Sequence, residues 1–274
     1  MLEISDFIIL ALAGCLGGFL SGFLGVGGGI IYVPILDYFL SKYFSNSSEI
    51  VKAVLANSLF TILFSATIAS YKQYKLGNFF LKEIVLTAIP GIVTVVVMHT
   101  LINQGEWYNR KTFLWFFLIM LLFVVIKMFL SKPKSHEQET AVASPFKYYV
   151  TGGFAGIVTA MSGLGGGVIM TPIFTEWLKI NIKKASAIST GVIPAFAFVV
   201  GILNLKEVPE TQISQWQIGF IIFPVVLPLI LATFIFAPLG VKIAQKSNSK
   251  TIQITFASFA SLILLKVIYE LFVQ

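Results

Sequence analysis

"GVGGGIIYVP" occupies residues 25–34, and four of its first five residues are glycine. In a water-soluble protein such a run would suggest a phosphate loop, but no Lys-Ser/Thr pair follows it and no strand pattern precedes it. It lies inside a long apolar stretch. Non-helical backbone at membrane depth survives only where it is buried in protein or lines a wet cavity. A membrane helix broken with glycine and resumed at once therefore marks either a very close packing contact or a built site.

The rest of the chain supports the membrane setting. Its 274 residues are 57% hydrophobic and 11% charged, with a mean hydropathy of +0.91. A soluble domain carries about 25% charged residues. Apolar segments are expected at 6–24, 28–41, 53–71, 80–101, 112–131, 147–163, 166–180, 185–204, 216–237 and 251–273, and a helical crossing needs about 20 residues. Strand-like alternation is absent, which argues against a β-barrel. The net charge of +7 comes from lysines in short loops; that is topogenic charge and excludes nucleic acid as a partner. The single Cys15 excludes an intrachain disulfide and a Cys-based metal cage. The N-terminal "MLEISDF" lacks a basic region, so no cleavable signal peptide is expected. There is no HExxH, GxSxG, paired intramembrane aspartate or His/Cys cluster. No enzymatic activity, catalytic residue, cofactor or metal is expected.

The glycine stretch occurs twice. "GGFLSGFLGVGGGIIYVPI" (17–35) matches "AGIVTAMSGLGGGVIMTPI" (155–173) at a constant offset of 138 (155 − 17). "KAVLANSLF" (52–60) matches "KASAISTGV" (184–192), placing Asn57 and Ser58 on Ser189 and Thr190. "RKTF" (110–113) aligns with "SKTI" (249–252), which puts Lys127 on Lys266. Between the copies lies "SKPKSHEQETAVASP" (131–145), with the charge, Ser and Pro of a solvated connector. The organisation is therefore a first transmembrane repeat over 1–130, a cytoplasmic linker over 131–146 and a second repeat over 147–274. Gly-interrupted hydrophobic segments at matching places in two halves point to a transporter's binding site.

Loop charge orients the halves. If 6–41 were one crossing, each half would cross four times and the repeats would be parallel. If the chain turns back at the glycines, as a re-entrant hairpin or as two crossings, the repeats are inverted. Turning back puts Lys72, Lys75, Lys82, Lys132, Lys134, Lys147, Lys179, Lys183, Lys184, Lys242, Lys246 and Lys250 on one side. The other side holds Lys42, Lys52, Arg110, Lys111 and Lys206, a split of 12 to 5, against 10 to 7 for the continuous arrangement. Positive residues favour the cytoplasm. The expected fold is an all-α polytopic membrane protein of two inverted repeats. Each repeat is a Gly-broken helical hairpin followed by three transmembrane helices, with both termini outside the cytoplasm.

After each glycine cluster a helix restarts, "IIYVPILDYFL" and "VIMTPIFTEWL". Its first N–H groups lack intrahelical partners and its dipole makes that end positive, so it is an anion site needing no basic side chain. Inverted hairpins would bring both helix starts near the midplane. Close helix packing by small residues is the alternative. Asn57, Ser58, Thr61, Ser189 and Thr190 are uncharged donors at depth, suited to an anion's oxygens or to interhelical bonds. Ser21, Thr159 and Ser162 read as packing or back-bonding residues. Lys127 and Lys266 read as snorkelling lysines. Asp37 and Glu176 read as interfacial, and His99 as a packed or interfacial histidine rather than a proton relay. Trp107, Trp115, Trp177 and Trp216 fall at segment ends, as an aromatic belt predicts.

The duplicated GxGGG…P element, the Lys-Ala and Ser/Thr-rich second helices, the charged central linker and the length together resemble the sulfite exporter TauE/SafE family of membrane transporters. The likeness covers nearly the whole chain. It implies movement of a small sulfur-containing anion or related organic acid: sulfite, thiosulfate, a sulfonate, sulfoacetate. Carried onto this sequence, the implied substrate-binding residues are Gly25, Gly27, Gly28 and Gly29 with Gly163, Gly165, Gly166 and Gly167, plus Asn57, Ser58, Ser189 and Thr190. Gly22 departs from the pattern, with Ala160 opposite it. The expectation is a secondary transporter in the inner or plasma membrane working by alternating access. An anion channel of the same fold and a non-transporting membrane scaffold are the rivals. Expected partners are a small anionic substrate and the lipid bilayer, with a homodimer left open.

Overall fold

The computed structural model of the protein describes residues 3–44, 47–105, 107–130 and 144–273. Among these the chain forms ten helices and one short hairpin of strands. The first half contains α1 (Ile4–Leu24), α2 (Gly29–Leu40), α3 (Ser47–Lys75), α4 (Leu81–Gln104) and α5 (Arg110–Leu130). The second contains α6 (Pro145–Ser162), α7 (Gly167–Glu176), α8 (Ile182–Lys206), β1 (Gln217–Ile218), β2 (Ile221–Ile222), α9 (Phe223–Lys246) and α10 (Ser249–Val273). Among the described residues α1, α3, α4, α8, α9 and α10 are long and apolar enough to cross a membrane. The chain is an all-α polytopic membrane protein. The connector expected at 131–146 lies outside the described residues up to position 143; Ser144 already caps α6.

The glycines do break the helix. α2 has 12 residues and α7 has 10, giving lengths of about 18 and 15 Å at 1.5 Å per residue. Neither reaches across a hydrocarbon core of about 30 Å. Each glycine cluster therefore closes a hairpin with one long and one short arm.

The halves exchange their hairpins. α1 packs along α9, and its counterpart α6 packs along α4. Small residues make both contacts possible. A Cβ on Gly14 would lie 2.6 Å from the Leu229 carbonyl oxygen, and one on Gly22 would lie 2.0 Å from that of Ala237. In the other pair, a Cβ on Gly152 would lie 2.0 Å from the Thr87 carbonyl oxygen, and one on Gly156 would lie 2.3 Å from that of Gly91.

α3 and α8 form the centre, and they run antiparallel. At one end Lys52 of α3 donates to the Asn103 carbonyl oxygen of α4, and Asn204 near the close of α8 contacts His99 one turn away. At the other end Gln73 of α3 binds Gln245, while Lys183 at the start of α8 donates to the Gln245 carbonyl oxygen. We call these the Lys52 end and the Gln73 end. Lys42, Arg110, Lys111 and Lys206 follow the Lys52 end through the short connections.

Two differences from the sequence expectation have plain causes. The apolar run starting at 216 does not enter a helix directly. Residues 217–222 form an antiparallel strand pair, Gln217 opposite Ile222 and Ile218 opposite Ile221. Asn57 of α3 holds it, donating to the Phe220 carbonyl oxygen at 2.8 Å and accepting from the Ile222 amide at 2.8 Å. Asp37, in the last turn of α2, is buried against protein rather than exposed. It is 2% exposed and pairs with Arg110 at 2.9 Å. The four tryptophans are all exposed, as a lipid-interface belt requires.

Candidate functional site

The two glycine turns meet in the middle of the protein. Gly27 and Gly165 both lie against Ile62 of α3 and Ile193 of α8. A Cβ on Gly29 would lie 2.7 Å from Leu164 Cα; one on Gly167 would lie 2.6 Å from the Gly25 carbonyl oxygen. Each turn is thus the wall of the other, and residues 25–29 and 163–167 are all buried. The backbone explains the composition. Gly28 and Gly166 are the N-caps of α2 and α7 with φ of 82° and 76°, a left-handed conformation that disfavours any side chain. The hairpin tips overlap beyond the centre. Gly25 reaches Ser186 near the start of α8, and Gly163 reaches Leu55 near the start of α3. Tyr108, in the loop before α5, donates to the Met161 carbonyl oxygen and fixes the second tip. Burial pushes the Tyr108 phenol up from its ordinary value.

The structure corrects the repeat register by one residue. Leu55 and Ser186 do equivalent work, as do Ile62 and Ile193, and each pair is 131 positions apart (186 − 55 and 193 − 62). Ser58 therefore falls on Ser189, and Asn57 on Ile188. Matching the Lys-Ala dipeptides had selected Lys184; helical phase selects Lys183, whose bond to the Gln245 carbonyl oxygen repeats that of Lys52 to Asn103.

The expected polar residues are all buried beside the turns, but most are already engaged. The Asn57 amide is used by Ala53, Phe220 and Ile222. Ser58 donates to the Gly163 carbonyl oxygen at 2.8 Å and so ties α3 to the second turn. Thr61 and Thr190 bond back to their own helices, to Asn57 and Ser186. Thr159 and Ser162 do the same, to Ala155 and Val158. Ser189 faces Thr171 of α7 at 3.5 Å.

Two buried hydroxyls beside the first turn stand apart. Ser21 Oγ and Tyr32 Oη make no well-formed hydrogen bond among the described residues, with the Ser65 side chain beside the phenol, and both residues are 0% exposed. The Tyr32 ring lies between Gly17 and Gly28, where added Cβ atoms would come within 2.2 and 2.9 Å of it. Ser65 closes the neighbourhood by donating to the Gly27 carbonyl oxygen at 2.8 Å. At the second turn Tyr32 is matched by Met170 at the 138 offset (170 − 32), and Ser65 by Phe196 at the 131 offset (196 − 65). Sequence reasoning passed over Tyr32. Its signal was a phenol set three residues after a glycine triplet where the other copy has methionine.

The deep lysines also diverge. Lys127 is exposed beside the Phe123 ring, as a snorkelling residue should be. Lys266 instead donates to the Pro34 carbonyl oxygen in α2 at 2.9 Å. Among the described residues no group of His, Cys, Asp and Glu could hold a metal ion.

Residues 10–267 match the family described as Sulfite exporter TauE/SafE. The chain is 28% identical over 260 residues to a "Probable membrane transporter protein" of Haemophilus influenzae, covering 92% of this chain and 95% of that one. A second such protein, from Methanocaldococcus jannaschii, is 27% identical over 252 residues, with 91% of each chain covered. "Probable membrane transporter protein YunE" of Bacillus subtilis is 25% identical over 289 residues, covering 97% and 98%.

Proposed function

The chain belongs to the sulfite exporter TauE/SafE family of membrane transporters, and from that premise we propose that it is a secondary transporter of a small oxyanion, a sulfur oxyanion or organosulfonate. The observation that carries this reading is the meeting of two helix starts at one buried place, with two unpartnered hydroxyls beside one of them. Buried polar groups are nearly always bonded, so orphaned ones call for a ligand or ordered water. Ser21 and Tyr32 supply O–H donors, and the first amides of α2 supply N–H donors with a positive dipole end. Together they replace an anion's water without a fixed cation, which lets it leave again.

The transport cycle in this reading is alternating access between inverted repeats. The antiparallel α3 and α8 and the exchanged hairpins support it: rocking one hairpin against the other would expose the same place first to one end and then to the other. The lysine-rich Gln73 end faces the cytoplasm of an inner or plasma membrane, with both termini on the far side. An inside-negative potential then drives anion export, by about 2.3 kcal/mol per charge per 100 mV.

The test is uptake of labelled sulfite, thiosulfate, sulfate and a short sulfonate into proteoliposomes, with Tyr32→Phe and Ser21→Ala beside the parent. Saturable transport of one anion, weakened in both variants while they remain folded, is expected. Transport of none of these by folded protein would overturn the substrate class. Linear, non-saturating flux would replace the transporter by a channel.

A further inference from the structure

A second polar cluster lies at the Lys52 end. His99 and Asn103 of α4, Asn204 of α8 and Lys52 of α3 line a cavity with room for about one water molecule, and Glu207 binds Asn103 beside it. Its floor includes Leu55, whose other side is packed on the Gly163 turn. The bonds assign the imidazole tautomer. Asn204 Nδ2 donates to the Val200 carbonyl oxygen, so Asn204 Oδ1 faces His99 Nε2 as an acceptor at 3.3 Å, and Nε2 carries the hydrogen. Asn103 Nδ2 donates to Glu207 Oε1 at 2.9 Å, so the group that it turns to the ring is an N–H. Asn103 Nδ2 lies 3.4 Å from His99 Nδ1 and 3.3 Å from Nε2; with the Nε2 hydrogen directed to Asn204, Nδ1 is the ring nitrogen left to accept. Neutral His99 is therefore fully bonded and latches α4 to α8.

A proton on Nδ1 undoes this arrangement. The new N–H would face the Asn103 N–H, donor against donor. Asn103 has to turn its oxygen to the ring, and its bond to Glu207 is lost. Lys52 from α3 and Glu207 beyond α8 are the charged groups facing the ring, and α6 presents Ala160 to the cavity. Imidazole is the side chain whose charge changes between pH 5 and 8.

The Gln73 end carries the matching latch without the titratable member. Lys183 donates to the Gln245 carbonyl oxygen as Lys52 does to that of Asn103. Gln245 binds Gln73 where Asn103 and His99 engage Asn204. In the α4-to-α9 register set by Thr87 and Leu229, an offset of 142 (229 − 87), the counterpart of His99 is Val241. In the α3-to-α8 register the counterpart of Glu207 is Leu76 (207 − 131).

We propose that His99 is a proton site that releases the gate at the Lys52 end, while the gate at the Gln73 end is indifferent to pH. This rests on the alternating-access reading above. Protonation from the Lys52 side keeps the His99–Asn204 bond but breaks the Asn103–Glu207 bond between α4 and the end of α8, which loosens that end, opens the cavity toward Leu55 and exposes the second glycine turn to that side.

Accessibility tests it without needing a substrate. Leu55→Cys in a Cys15→Ser background is labelled with a charged thiol reagent, with His99 intact and with His99→Gln. The ratio of the two rates cancels the reagent's own pH dependence. It should be near unity at about pH 8 and rise roughly tenfold by about pH 5.5, the effect of one lost charge-linked hydrogen bond. Glu207→Gln, which keeps the ring, should move the rise to lower pH; it also serves where His99→Gln misfolds. Ser186→Cys, the counterpart of Leu55, should give a flat ratio. A flat ratio at Leu55→Cys overturns the proposal even if anion transport is saturable. A rising ratio supports the gate even if none of the sulfur anions is carried, in which case the substrate reading alone fails.

Discussion

The two glycine turns share a backbone and differ in what surrounds it. Both cap a short helix with a left-handed glycine, and both lie against Ile62 and Ile193. The first has a phenol, two serines and a lysine at its helix: Tyr32, Ser21, Ser65 and Lys266. The second has Met170, Thr159 and Phe196, and its matching Lys127 is exposed. The backbone repeats while the polar groups differ: Tyr32 and Ser65 stand at the first turn where the second has Met170 and Phe196, and Ser58 and Ser162 serve the second. Symmetry of backbone is what a two-sided cycle needs; asymmetry of side chains is what gives the site a preferred ligand and direction.

The most severe way to break the comparison is to fill the place where the turns touch. Gly29→Val puts side-chain carbons inside the 2.7 Å approach to Leu164 Cα. It should cost about 3 kcal/mol or more and abolish the monodisperse peak in size-exclusion chromatography. Gly167→Val should do the same from the other side. Asn57→Ala comes next. It orphans the Phe220 carbonyl and the Ile222 amide, each costing about 1–3 kcal/mol, and should lower Tm clearly in detergent. Ile188→Val, at its counterpart, should shift Tm only slightly.

Smaller effects sharpen the comparison. Tyr32→Phe should raise the KM for the transported anion roughly tenfold, the equivalent of about 1.4 kcal/mol. Met170→Leu should leave KM unchanged. Equal effects would mean that the halves share the substrate evenly. Lys266→Met should destabilise by about 1 kcal/mol by removing the bond to Pro34. Lys127→Met should stay within about 0.5 kcal/mol.

Much of the frame was readable in the chain because glycine and proline act locally. The breaks between α1 and α2 and between α6 and α7 follow from the glycines that lie at them in the sequence. The site was harder. Tyr32 looks like one more apolar-segment aromatic until Gly17 and Gly28 are seen against its ring. Asn57 looked free because its partners lie more than 160 positions away, in a strand pair that hydropathy merges with α9. Asp37 showed no partner in the sequence because Arg110 is 73 positions distant. His99 was set aside because no counterpart in the other half could be aligned with it, yet that lack of a mate is what separates the two gates. The one-residue register slip arose where adjacent lysines, Lys183 and Lys184, offer two alignments that only helical phase separates.

The exchange of hairpins also sets a timetable for biogenesis. α1 is synthesised first, but the helix it lies along is α9, and Gly14 and Leu229 are 215 positions apart (229 − 14). At about 5–20 residues per second, the nascent first hairpin waits on the order of 10–40 seconds for its main neighbour. During that interval the Gly14, Gly18 and Gly22 face of α1 has only lipid, water or an insertion factor to lean on. A chain stalled before α9 would leave that face uncovered for a membrane quality-control protease.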